Sequence, residues 1–171
     1  MSQRHKRGSR TRLESGGGPA ADHAGGGSMS EIAERLERNL ETIARDEPAL
    51  IRRVYEDLFS HHPSIAELFT THRTAVRAEM LREILVIALA QAEGASWVEE
   101  NLASLGYKHH VNEVTHEMYG WFTDCLIRIF AEFSGSEWCA ELEADWRAVL
   151  EQLSDQMRRA GEDAGGGIVG A

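Results

Sequence analysis

The sequence predicts an all-α protein, and three observations carry that prediction. Between residues 30 and 160 the apolar residues recur at helical intervals, with no sustained alternation of period two. Only two prolines, Pro48 and Pro63, interrupt this span, and glycine-rich runs flank it on both sides. With 171 residues, 42% of them apolar, the chain suits one ordinary domain with a core large enough to fold unaided. The expected layout is a disordered, basic, glycine-rich tail over 1–29, a helical domain over 30–160 and a second glycine-rich tail over 161–171.

Each element has a local reason. Ser30, followed by Glu31 and Glu34 and by the row Ile32, Leu36, Leu40 and Ile43, reads as a capped amphipathic helix ending near Arg45. Asp46, Glu47 and Pro48 open a second helix whose apolar face is Ile51, Val54, Tyr55 and Leu58, and the His61-His62-Pro63 sequence should stop it. A short turn over Ile65 to Phe69 follows. Val76, Met80, Leu81, Ile84, Leu85, Ile87 and Ala88 then make a stripe so wide that their helix must be contacted on more than one side. Val98, Leu102, Leu105 and His109 are spaced by four, three and four, which puts a histidine on the apolar face of a fourth helix, while His110 points about 100° away. Two long helices close the domain, one with Met118, Phe122, Cys125, Ile129 and Phe133, the other with Leu142, Trp146, Val149, Leu153 and Met157, and Gly135 turns between them.

Composition narrows the function. A net charge of −10 argues against a nucleic-acid surface, which needs clustered Lys and Arg. No apolar run of about 18 residues is free of charge, and no apolar segment resembles a signal peptide, so a soluble cytoplasmic protein without membrane contact is expected. Cys125 and Cys139 lie in helical patterns without metal-ligand spacing and read as buried free thiols. The first 28 residues carry Arg4, Lys6, Arg7, Arg10 and Arg12 against Glu14 and Asp22; a translation start at Met29 and a functional basic arm both fit them.

A histidine closing an apolar row is either a core residue satisfied by a carbonyl or a metal ligand. Its neighbours, Leu105-Gly106-Tyr107-Lys108-His109 with Val114, Glu117 and Tyr119 downstream, resemble the proximal segment of globins. Tyr55-Glu56-Asp57-Leu58-Phe59 running to Pro63 and ending at Leu68-Phe69 resembles a second stretch of bacterial globins, including the globin domain of flavohaemoglobins. Trp146 matches a tryptophan common in the last globin helix. The resemblance spans Ser30 to Met157 and implies a globin fold of six to eight helices around one haem pocket.

The resemblance also implies roles. His109 would ligate the haem iron, Phe69 would wedge against the haem, and Val111, Val114, Met118 and Tyr119 would line the proximal side. Lys108, His110, Arg73 and Arg77 are candidates to meet the propionates. Tyr55 would donate a hydrogen bond to bound dioxygen, worth roughly ten- to a hundred-fold in release rate. Arg77 fits the distal position best, one turn before Leu81 as the apolar wall over the iron; Val76 is the other register, and His72 could act as a sixth ligand. Reversible binding of dioxygen or another diatomic gas is the expected activity. Nitric oxide dioxygenation would need a separate reductase, because no flavin or nicotinamide domain is present. The glutamate that braces the proximal histidine in flavohaemoglobins is replaced by Gly161, with Glu162 one place off, which favours carriage, storage or sensing. A gas sensor acting on a separate signalling partner is the second reading, and a haem-free helical bundle serving protein contacts, against which His109 speaks, is the third. Both monomer and dimer fit the sequence.

Overall fold

The computed structural model describes residues 28–70 and 74–166. Among these described residues six α-helices make the fold: α1 Met29–Ile43, α2 Glu47–His61, α3 Thr74–Ala92, α4 Val98–Val111, α5 His116–Ser134 and α6 Ala140–Gly166. Short 3-10 segments at Ala44–Asp46, Pro63–Phe69 and Gly135–Glu137 join them. No strand occurs among the described residues, and none of the helices is long and apolar enough to cross a membrane. The expectations for His72, Arg73 and residues 1–27 and 167–171 lie outside the described residues.

The first helix is capped two residues earlier than expected. Ser28, not Ser30, closes a capping box: the Ser28 hydroxyl accepts from the Glu31 amide, and the Glu31 carboxylate accepts from the Ser28 amide at 2.7 Å. The three-residue spacing from serine to glutamate decides this, since both bonds need it. At α2 the Asp46 carboxylate accepts from the Ala49 amide and Pro48 occupies the first turn, where its missing N–H costs nothing. The helix ends at His61, and Pro63 diverts the chain into the 3-10 segment.

Helix α3 touches α1, α2, α4 and α6, so its wide apolar stripe is used on several sides. Leu81, Leu85, Ile87 and Ala88 are buried there. Gly94, at φ +74°, closes the turn into α4 in a backbone state that glycine adopts without penalty. Deep in the core, Trp146 donates from Nε1 to Asn39 Oδ1 at 2.8 Å, Asn39 donates to the Ser134 hydroxyl at 2.7 Å, and Ser134 donates to the Phe130 carbonyl. This buried chain pairs the side chains of Asn39, Ser134 and Trp146 where α1, α5 and α6 meet away from water.

Two expectations shift. Helix α6 continues to Gly166, past the expected end at Ala160, and Gly161 is buried inside it. A Cβ on Gly161 would stand 2.8 Å from the Gly106 carbonyl oxygen, so its glycine serves a close helix crossing and marks no helix end. Cys125 is a buried free thiol, but Cys139 is exposed, because it lies in the short connection between Gly135–Glu137 and α6.

Candidate functional site

A cavity of about 420 Å³ opens between the helices, within the roughly 300–1,000 Å³ usual for small-molecule pockets. Helix α2 contributes Tyr55 and Leu58, and the following 3-10 segment contributes Ile65, Leu68 and Phe69. Helix α3 supplies Met80, Glu83 and Ile84, and α4 supplies Leu105, Lys108 and His109. Val114, Met118, Tyr119 and Phe122, with Leu150, Ser154 and Met157 of α6, complete the lining. Most of these side chains are apolar, as a flat porphyrin would require.

His109 is placed by backbone packing. Its helix, α4, crosses α6 so closely that a Cβ on Gly106 would collide with the Met157 carbonyl. The Val114 amide donates to the His109 carbonyl at 3.0 Å, which ties down the end of α4. His109 Nδ1 lies 2.9 Å from the Leu105 carbonyl oxygen. A carbonyl can only accept, so Nδ1 carries the proton and Nε2 keeps its lone pair for a metal. Burial lowers the imidazole pKa, against the Leu105 hydrogen bond and the charge of Glu83, so the ring stays in the neutral form that ligation needs. The Tyr119 ring lies 5.6 Å away, tilted at 55°. The residues therefore fit a haem: one neutral imidazole, an apolar slot, and Lys108 and Asn112 on its wall as polar groups for carboxylates.

Tyr55, also on the cavity wall, is buried and donates its hydroxyl proton to the Arg77 carbonyl at 2.8 Å. Burial pushes its pKa far up, partly offset by the Arg77 charge. The rings of Tyr55, Phe59 and Phe69 form a triangle with centroids 5.5–5.8 Å apart.

Of the residues singled out from sequence, Tyr55, Phe69, Lys108, His109, Val114, Met118 and Tyr119 meet at this cavity. Arg77, Leu81, Val76, Val111 and His110 do not line it. Val111 is 60% exposed, because two residues beyond His109 the helix has turned about 200°. Leu81 is buried in the core beside the cavity-facing row of Met80, Glu83 and Ile84, one helical step from the wall. Arg77 turns back onto the aromatic triangle, its Nη2 donating to the Phe69 carbonyl at 3.1 Å. Sequence reasoning missed Glu83 and Asn112; Asn112 lies three residues beyond His109, one helical turn on, and that spacing was the available signal.

The Globin family profile matches residues 52–157, from just before Tyr55 to Met157. No curated protein sequence matches the chain significantly. Among solved structures, a Pseudomonas aeruginosa PAO1 protein described as structurally highly homologous to a human haemoglobin is 21% identical, with a TM-score of 0.68, covering 75% of this chain and 97% of its own. A bacterial globin from Campylobacter jejuni is 12% identical at TM-score 0.68, covering 80% and 99% respectively. A hexacoordinated haem protein from an anhydrobiotic tardigrade is 13% identical at TM-score 0.63, covering 78% and 94%. With the profile spanning more than half the chain and a helical fold shared with these proteins, the chain belongs to the globin family.

Proposed function

We propose that this globin binds one haem through His109 and takes up dioxygen, or another small diatomic gas, reversibly on the Tyr55 side. The observation that carries the reading is the engagement of His109 Nδ1 by the Leu105 carbonyl, which leaves Nε2 as the ligating nitrogen at an apolar cavity. A haem held there would supply an iron position for a gas. The protein's part is to hold the imidazole neutral and oriented, to exclude water with Phe69, Ile84, Met118 and Phe122, and to present the Tyr55 hydroxyl from the other wall.

The same observation favours carriage or storage over oxygen activation. A carboxylate on Nδ1 would raise ligand basicity, whereas the Leu105 carbonyl is neutral. Glu162, the nearest acid by sequence to the position expected to brace the ring, is exposed and pairs with Arg158 at 2.9 Å. Nitric oxide dioxygenation with an external reductase is accordingly the weaker use of this site.

Expression with added haem tests the reading. A sharp Soret band should appear in the wild type, vanish in His109→Ala, and return when imidazole is added to that variant. A wild-type protein that takes up no haem, or a His109→Ala protein with an unchanged band, overturns it.

A further inference from the structure

Arg77 lies just outside the cavity wall yet holds its distal face from two directions. Its main-chain carbonyl accepts the Tyr55 hydroxyl proton at 2.8 Å. Its guanidinium packs on the aromatic triangle, with Cζ 5.9 Å from the Tyr55 centroid, 5.2 Å from Phe59 and 6.0 Å from Phe69, and donates to the Phe69 carbonyl. Nε of the same group is buried with no partner among the described residues. A guanidinium leaves a donor unmet in this way only where its other contacts hold it in place, so Arg77 is not a solvated surface charge.

The consequence follows from proton counting. A phenol has one proton to donate. Spent on a carbonyl outside the cavity wall, it is withheld from a gas inside. We propose that Arg77 is a positioning residue that latches Tyr55: it clamps the ring triangle and holds the hydroxyl on its own carbonyl, so a bound gas receives the Tyr55 hydrogen bond only by drawing it off the latch. This rests on the haem-globin reading above and assigns to Arg77 a role through Tyr55 in place of direct contact with the ligand. It makes Arg77 the residue that sets how tightly this protein retains dioxygen.

The test uses the haem-loaded full chain in four forms: wild type, Arg77→Met, Tyr55→Phe and the double variant, with Arg77→Gln as a second, polar replacement should the methionine fail to fold. Loosening the clamp frees the hydroxyl toward the ligand. Dioxygen release from Arg77→Met or Arg77→Gln should slow by about three- to ten-fold, a fraction of one full hydrogen bond. The C–O stretch of bound carbon monoxide should move to lower frequency in the same variants, as a donor approaches the ligand. Both changes should vanish when Tyr55 is Phe. An equal change in the Tyr55→Phe background, or an unchanged rate and stretch in both arginine variants, overturns the latch while leaving haem binding intact. A wild type without a Soret band overturns the haem reading itself, and the latch with it.

Discussion

On the His109 side of the cavity, helix lies against helix with backbone touching backbone: Gly106 under the Met157 carbonyl, Gly161 against the Gly106 carbonyl and the His110 Cβ. On the Tyr55 side, three rings and a guanidinium fill the space between α2, the 3-10 segment and α3. The first wall is held by main chain that cannot rearrange without moving a whole helix. The second is held by side chains with rotamers to spare. A ligand-bearing imidazole needs the first kind of support, and a hydroxyl that must change partners needs the second.

The largest expected effect is on the rigid wall. Gly106→Ala places a methyl group against the Met157 backbone, and α4 and α6 can relieve the clash only by separating. Overpacking of this kind should cost about 3 kcal/mol, read by urea denaturation, and should loosen haem retention because His109 rides on α4. A loss well under 1 kcal/mol would show that the crossing gives way easily and that the contrast between the walls is unfounded. Phe69→Ala probes the other wall. Phe69 is only half-buried and its neighbours Phe59 and Tyr55 can shift toward the gap, so a loss of about 2 kcal/mol is expected, below that of a well-buried aromatic.

The same contrast explains what could be read from sequence. The Leu105-to-His109 segment was legible because α4 has one apolar row ending in histidine, and a single stripe fixes which way the ring faces. Gly161 continues the row of Leu153 and Met157 at the same four-residue step, but it adds no apolar side chain to it. It therefore reads as a helix end, although it is a contact made with another helix's backbone. On α3 the failure has a different cause. Its apolar residues go almost all the way round, so periodicity does not choose between the row of Arg77 and Leu81 and the row of Met80 and Ile84. Tyr55 and Phe69 were found from the resemblance, but their engagement with Arg77 depends on how a flexible side chain packs. The Asn39, Trp146 and Ser134 chain was invisible for a similar reason, since it links three helices far apart in sequence.

Tyr55→Phe gives a smaller effect on stability and a measurable one on function. Losing the bond to the Arg77 carbonyl should cost about 1 kcal/mol in denaturation. Dioxygen release should speed up by about ten-fold, the low end for such a bond, because part of its worth is already spent on the latch. Release unchanged within two-fold, roughly the limit of one weak contact, would remove Tyr55 from the ligand's surroundings.

The smallest effect lies behind the side-chain wall, where Asp57 of α2 accepts two hydrogen bonds from Arg128 of α5, at 2.6 and 3.2 Å. Burial is the largest influence and raises the Asp57 carboxyl, but the hydrogen bonds and charge of Arg128, with smaller help from Cys125 and His61, together outweigh it and hold the pKa below its ordinary value of 3.8. A carboxyl with a depressed folded-state pKa contributes stability that is present above the unfolded value and is lost as pH falls through the folded one. The Arg128 head is 41% exposed, so solvent screening limits the contribution to about 1 kcal/mol. Arg128→Leu should therefore be less stable than wild type at neutral pH by about that amount, and the gap should narrow once the pH drops below 3.8 and Asp57 takes up its proton in both proteins. Neither the Soret band nor the gas release rate should move, since the pair braces α2 against α5 without reaching the cavity. A change in release rate would mean that the pairing of α2 with α5 also sets where Tyr55 stands, and that the side-chain wall is stiffer than its packing suggests.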